Sequence, residues 1–294
     1  MMTRNGHYTR AFSAALTAVS AVIGPILPPS IPLVLYALVS GTSIGFLFIA
    51  GVLPGLLLGA VQMALIHYQA KRRGFPVEAP VPLRDMPRVT REALPALMLP
   101  VILLGCLYSG ITTPTEAAGL AAAYALLLTV TLYRKSVTWG EIGEAVVSSA
   151  RVSTSIGMLI AGALVFNYVI TVENIPASLS VVLKTLDLSP LGFLLLVNLL
   201  LLLLGCFLEG STIILVILPV LLPTATALGV DPVHFGVMAV LNIMIGLVTP
   251  PYGLLLFMTT KIAEVSMGEL LAEVWPYLGV MLGALALVTL WPDL

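Results

Sequence analysis

Long apolar runs dominate the chain, each bounded by a short polar or Gly/Pro-rich segment. An α-helix rises 1.5 Å per residue, so about 20 apolar residues cross a hydrocarbon core of about 30 Å. By that measure the pattern predicts eight or nine membrane segments, at 11–40, 44–69, 93–112, 115–133, 148–171, 190–208, 211–228, 233–260 and 269–291. The first and the eighth of these should be broken in the middle. The longest polar stretch, 71–92, holds Lys71, Arg72, Arg73, Arg84, Arg88 and Arg91 with four prolines, and reads as a cytoplasmic connecting loop. No soluble domain fits between the runs, so the expected fold class is an all-α polytopic membrane protein.

Charge then orients the segments. If 71–92 is cytoplasmic, the parity of crossings places Arg4, Arg10, Arg134, Lys135, Arg151 and Lys261 on the same side and leaves only Lys184 across. Twelve of thirteen basic residues on one side is the positive-inside pattern. The N-terminus is therefore expected in the cytoplasm and the C-terminus in the periplasm. Segments 190–208 and 211–228 could be two full crossings or one re-entrant hairpin, because both return the chain to the side it left. Trp139, Trp275 and Trp291 lie near predicted ends and read as interfacial anchors.

Composition narrows the function classes. Hydrophobic side chains make up 59% and charged ones 9% of 294 residues, with a mean hydropathy of +1.10, where soluble domains carry roughly a quarter charged residues. A net charge of −1 gives no basic surface for nucleic acid. Cys106 and Cys206 sit in apolar runs far from any histidine cluster and read as small core residues. The run behind the N-terminus, interrupted by Gly24, Pro25, Pro28, Pro29 and Pro32, is a poor signal-peptide core and is treated as mature sequence. An intramembrane enzyme would need a nucleophile with its base, or a metal cluster, within the spans. His7 and His67 fall near the cytoplasmic margin, His234 falls in a loop, and no paired carboxylates appear, so no enzyme is expected.

The predicted breaks share a pattern. In Gly24–Ile31 (GPILPPSI) and Gly246–Gly253 (GLVTPPYG), Gly is followed by Pro-Pro four and five residues later, and the two lie 222 positions apart. Each proline removes a backbone donor and glycine weakens the helix, so both segments should unwind within the bilayer. Unwound backbone is tolerated there only where it lines a cavity or is buried in protein. Matched breaks in two halves point to a transporter site, since freed carbonyls can bind a cation and half-helix N-termini can face an anion. Upstream of the second break, Glu209 is an ionisable group in an apolar stretch, followed by Gly210, Ser211 and Thr212. That pattern suits the tip of a hairpin holding an ion or a carboxylate. The matching tip of the first half would fall before Met1, so the first repeat is expected to be incomplete.

Around these positions the bland readings are structural. Asn198 and Asn242 suggest helix–helix hydrogen bonds, and Gly51, Gly55 and Gly59 a close helix contact. Thr113 or Thr115 with Glu116, and Asp231-Pro232 before His234, suggest helix caps.

At these residues the chain resembles the large membrane subunit of tripartite ATP-independent periplasmic (TRAP) transporters, the DctM or SiaM type. The resemblance rests on Tyr108–Leu128 (YSGITTPTEAAGLAAAYALLL), Gly24–Leu58 and Leu228–Phe257 (LGVDPVHFGVMAVLNIMIGLVTPPYGLLLF), in order and spacing. It covers 1–294 as the C-terminal two thirds of a family member, so the first hairpin is expected to be absent. It implies an inverted-repeat transporter with broken helices and a re-entrant hairpin, serving as the transporting subunit of a Na⁺-driven uptake system in the bacterial inner membrane. The implied partners are a small membrane subunit, a periplasmic solute-binding protein that delivers a dicarboxylate-like or sialic-acid-like organic acid, and the lipid bilayer; Na⁺ is the coupling ion and no other cofactor is implied. By position, carbonyls at Gly24, Ile26 and Pro28 would serve one Na⁺ site. Those at Gly246, Val248 and Thr249, with Thr212, would serve the other. Glu209, Ser211 and Pro250 complete the implied ion and substrate set. The alternatives are a non-transporting fragment or scaffold subunit, or a passive channel.

Overall fold

A polar side chain opens most of the helices by accepting one of the first-turn N–H groups that no intrahelical carbonyl reaches. Thr9 receives Phe12 N–H at the start of α1 (Arg10–Ala21), and Ser30 receives Leu33 N–H ahead of α2 (Ile31–Ser40). After α3 (Ile44–Arg73) and α4 (Met86–Tyr108), a reciprocal Thr113/Glu116 capping box opens α5 (Pro114–Thr131). The helix α6 (Trp139–Val172) starts with the same arrangement between Thr138 and Glu141. Ser189 caps α7 (Pro190–Phe207), and Glu209 caps α8 (Gly210–Ala227), whose second turn widens into a π-helix over Ile213–Ile217. Asp231 caps α9 (Pro232–Gly246) through Val233 and His234 N–H; α10 (Leu254–Ala263) follows, and a Ser266/Glu269 box opens α11 (Met267–Leu290).

This computed structural model describes residues 8–75, 82, 84–175 and 189–292, and every element among them is helical. Six of the described helices, α3, α4, α6, α7, α8 and α11, are long and apolar enough to cross a membrane. The shorter apolar helices α2, α9 and α10 come from the two segments expected to be broken. The all-α polytopic reading holds. Two helices start earlier than their apolar runs: α4 at Met86 and α6 at Trp139. Hydropathy marks where a segment meets hydrocarbon, whereas helical hydrogen bonding continues through the polar residues outside it. Of the expected loop 71–92, α3 occupies the first residues and α4 the last, and most of what joins them lies outside the described residues, as do Arg4, His7 and Lys184.

The chain divides into two compact units, 1–76 with 162–294, and 77–161. In the smaller unit α4 packs along α5, and Tyr124 donates its hydroxyl to Pro95 O at 3.0 Å. The larger unit is organised around α9, in which every residue from Phe235 to Gly246 is buried. A helix apolar on all sides can be accommodated only when neighbours surround it, and α2, α3, α7, α8 and α11 do so. At one end of this unit Arg73 of α3 makes paired hydrogen bonds of 2.9 and 2.7 Å to Glu273 of α11, and Tyr277 donates to Gln69 at 2.8 Å.

Glycines set the closest approaches. A Cβ on Gly236 of α9 would lie 2.1 Å from the ring of Tyr36 on α2. Tyr36 is fully buried there and donates its hydroxyl to Pro232 O at 2.7 Å, which ties the second half of the first broken helix to the first half of the second. On α3, a Cβ at Gly51 would meet Ile26 O at 3.0 Å and one at Gly55 would meet Leu27, whereas Gly59 has nothing within 4 Å. Two of the three spaced glycines therefore make the close contact.

Gly236→Ala is expected to destabilise the protein by about 1–3 kcal/mol by overpacking, and Gly59→Ala to be neutral or stabilising, since glycine inside a helix costs roughly 0.5–1 kcal/mol relative to alanine. Thermal unfolding in detergent measures both; equal midpoints for the two variants would contradict the assigned packing.

Candidate functional site

The first break begins where the α1 ladder runs out. Ile23 N–H still reaches Ser20 O, and both Ile26 and Leu27 N–H turn back to Ile23 O, but Pro25, Pro28 and Pro29 have no N–H to give. The Ser30 hydroxyl donates to Pro25 O and so closes the loop onto the start of α2. Among the described residues, the carbonyls of Gly24, Ile26 and Pro28 accept no hydrogen bond. The three differ in setting: Gly24 is exposed, Pro28 half-buried, and the Ile26 carbonyl abuts Gly51 of α3.

The second break is held more tightly. Val248 and Thr249 N–H reach Ile245 O and Gly246 O, the Thr249 hydroxyl donates to Ile245 O at 2.8 Å, and Leu255 N–H returns to Leu247 O at 3.0 Å. The C-terminal end of α7 grips the same loop, with Gly253 N–H donating to Cys206 O at 3.0 Å and the Cys206 thiol facing Pro250 O at 3.5 Å. This grip depends on glycine, because a Cβ on Gly246 would lie 2.7 Å from Gly205 Cα. The Gly246 carbonyl is engaged by Thr249, while those of Val248 and Thr249 accept no hydrogen bond among the described residues. Both breaks contain a cis Pro–Pro bond, Pro28–Pro29 and Pro250–Pro251.

Between α7 and α8 the chain turns through Leu208 and Glu209 alone. One Glu209 oxygen accepts Thr212 N–H at 3.2 Å and the other accepts the Ser211 hydroxyl at 2.9 Å, so the carboxylate is folded onto its own helix start. The N–H groups of Gly210 and Ser211 find no acceptor among the described residues. On the far arm, the π-turn lets Leu215 O accept Asn167 Nδ2 of α6 at 3.3 Å.

These parts meet at a cavity of about 380 Å³ lined by Gly24, Pro25, Ile31, Glu209, Gly210 and Leu247, among others. Of the residues singled out from sequence, Gly24 and Glu209 face it together. Ile26, Pro28, Ser211, Thr212, Gly246, Val248, Thr249 and Pro250 do not line it, and Val248 and Thr249 are buried. Four helix ends bound the cavity: α1 and α9 bring their C-terminal ends, α2 and α8 their N-terminal ends. The first pair presents carbonyl oxygen and the second N–H, so anionic and cationic groups each find a complementary end. Pro29, Pro32, Met244 and Leu247 were not identifiable from sequence as lining residues, because they are apolar and only their nearness to a break hints at the role.

Asn198 and Asn242 do bond helix to helix. Asn242 Nδ2 donates to Asn198 O at 2.9 Å and to its Oδ1 at 2.7 Å, and Asn198 Nδ2 passes the chain to Thr289 Oγ1 at 2.9 Å. This seam joins α9, α7 and α11 one turn before the second break. His234 lies 2.8 Å from Val288 O through Nε2, a contact that anchors α9 against α11. The double-mutant cycle Asn198→Ala with Asn242→Ala is expected to return a coupling of about 0.5–2 kcal/mol. Additive effects on unfolding in detergent would show the seam to be energetically idle.

The sequence matches the family described as "Tripartite ATP-independent periplasmic transporter, DctM component" over residues 1–294. It is 40% identical over 290 residues to the sialic acid TRAP transporter large permease protein SiaM of Vibrio cholerae, covering 99% of this chain and 68% of that protein. It is 41% identical over 291 residues to the C4-dicarboxylate TRAP transporter large permease protein DctM of Pseudomonas aeruginosa, with the same coverage of 99% and 68%. A third relative, the 2,3-diketo-L-gulonate TRAP transporter large permease protein YiaN of Escherichia coli, is 33% identical over 293 residues, covering 100% of this chain and 69% of that protein.

Proposed function

Because the chain belongs to the DctM component family of tripartite ATP-independent periplasmic transporters, we propose that it is the transporting subunit of a Na⁺-driven uptake system for an organic acid. It works with a small membrane subunit and a periplasmic solute-binding protein, in the bacterial inner membrane, with its N-terminus cytoplasmic and its C-terminus periplasmic. The two breaks and the α7–α8 turn are the working parts of an inverted-repeat design.

The observation that carries this reading is the cavity where four helix ends meet around Glu209. At the cavity, the N-terminal ends of α2 and α8 offer a carboxylate the N–H groups of Ile31 and Gly210, which find no acceptor among the described residues. An anionic substrate next to the Glu209 carboxylate is unfavourable unless a cation accompanies it. Of the carbonyls that accept no hydrogen bond among the described residues, that of Gly24 belongs to a residue lining the cavity, while those of Pro28, Val248 and Thr249 lie in the two break loops, off its lining, as further oxygen ligands for a cation. Such a set suits a hard monovalent ion, and among the described residues no three His, Cys, Asp or Glu side chains gather as a transition-metal site would require. Binding of the acid is thereby coupled to binding of Na⁺ through charge, which is the requirement for symport. Sialic acids, C4-dicarboxylates and diketogulonate, the substrates named for the relatives, all present the carboxylate this cavity accommodates.

Thr249→Val keeps the carbonyls of the second break and removes the hydroxyl that donates to Ile245 O, one of the ties that hold those carbonyls in place. In cells carrying the chain with its partner subunits, this variant and Glu209→Gln are expected to lower Na⁺-dependent uptake of labelled acid at least tenfold while leaving membrane insertion unchanged. Uptake that follows the solute gradient and ignores Na⁺ would replace the symporter with a passive channel.

A further inference from the structure

A second cavity, of about 500 Å³, lies between α1 and α10, lined by Arg10, Ser13, Thr17, Thr259, Ile262 and Glu264, among others. It belongs to neither break, yet it shares α1 with the cavity described above. Thr17 of α1 faces this cavity, and Gly24, in the turn that follows the end of α1 at Ala21, faces the other. Its chemistry is that of an anion site. Arg10 brings a positive charge, and Ser13, Thr17 and Thr259 are among its lining residues, the Thr17 and Thr259 hydroxyls donating to Ser13 O and Leu255 O so that their oxygens keep only acceptor capacity.

Two observations show that this polar equipment is underused. The Ser13 hydroxyl oxygen is shielded from solvent and has no hydrogen-bond partner among the described residues, an expensive state for a buried polar atom unless a ligand satisfies it. Among the described residues Arg10 has one loose partner: its Nη1 lies 3.4 Å from Glu264 Oε2, with the two side chains 65% and 81% exposed. A single long contact between exposed groups is weak, so a carboxylate that gains further contacts inside the cavity can displace Glu264 from Arg10. Glu264 ends α10 in a left-handed conformation at φ 54, beyond the last helical turn, so its side chain can swing away without disturbing the helix.

We infer that this cavity is a carboxylate-binding vestibule, in which Arg10 exchanges Glu264 for the carboxylate of the transported acid and Ser13 supplies a further hydrogen bond. The inference rests on the transport reading above and places a second, weaker stop for the same ligand class on the cytoplasmic limb of the path. The exchange also gives Glu264 a role, as an internal substitute that occupies Arg10 when no acid is present and hinders other anions.

Alkylation of a cysteine placed in each cavity tests this. Thr17→Cys reports on the vestibule and Leu247→Cys on the central cavity, each read by the mass of its own peptide so that Cys106 and Cys206 are scored separately. With the purified chain, succinate or N-acetylneuraminate is expected to slow modification at Thr17→Cys threefold or more, to slow it further when combined with Glu264→Gln, and to have no effect with Arg10→Gln. Protection at Leu247→Cys but not at Thr17→Cys overturns the vestibule and leaves the transport reading standing; protection at neither counts against both. Protection that survives Arg10→Gln removes the arginine from the site. Protection by phosphatidylglycerol micelles and by neither acid would make the cavity a lipid site instead.

Discussion

The crossing of α7 and α9 at Gly205 and Gly246 is the contact on which the rest of the larger unit depends. With no side chain between them the two backbones approach until a Cβ on either residue would meet the other main chain at about 3 Å. That proximity brings the C-terminal end of α7 within hydrogen-bond reach of the loop beyond Gly246, and Cys206 O accepts Gly253 N–H there. The same crossing fixes where the α7–α8 turn emerges, and so where Glu209 stands relative to the first break. Tyr36 then couples that break to α9, because its ring fills the space that Gly236 leaves.

Interrupting a helix inside an apolar protein leaves backbone groups to be satisfied, and the two breaks manage this differently. The second is pinned from α7 and from its own downstream helix, and the carbonyls of the buried residues Val248 and Thr249 accept no hydrogen bond among the described residues. At the first, Ser30 supplies the one side-chain closure, and Gly24 stays open to the cavity. Free acceptors within a membrane protein are costly unless a ligand or water meets them. Their concentration at two matched loops, with free N–H groups on the facing helix ends, is a physical basis for binding a cation and an anion together.

Most of the architecture was legible in the sequence, because the signals behind it are local. Apolar runs of about 20 residues marked the spans, the Gly and Pro-Pro pattern marked both breaks, and Thr113, Glu116 and Asp231 marked helix starts that the structure places within a residue. Helix starts in polar sequence were harder to read, since hydropathy does not register the additional turns at Met86 and Trp139. Gly59 shows the limit of spacing arguments: it stands in register with Gly51 and Gly55, yet no neighbour approaches it.

The sequence by itself determined the class of protein, the order of its apolar segments, the location of its breaks and the family whose signatures it carries. Each of these depends on residues close together in the chain, through hydrophobic length, missing donors and capping side chains. Only the tertiary structure decided which of the candidate residues meet. Gly24 and Glu209, far apart in sequence, line one cavity, while Thr212 and Thr249 do not line it. The structure likewise assigned partners to the carbonyls of Gly246 and Leu247 and, among the described residues, none to those of Val248 and Thr249. Such outcomes follow from where helices cross, and crossing points depend on pairs such as Gly205 with Gly246 and Tyr36 with Gly236, whose members lie too far apart in the chain for any local pattern to join them.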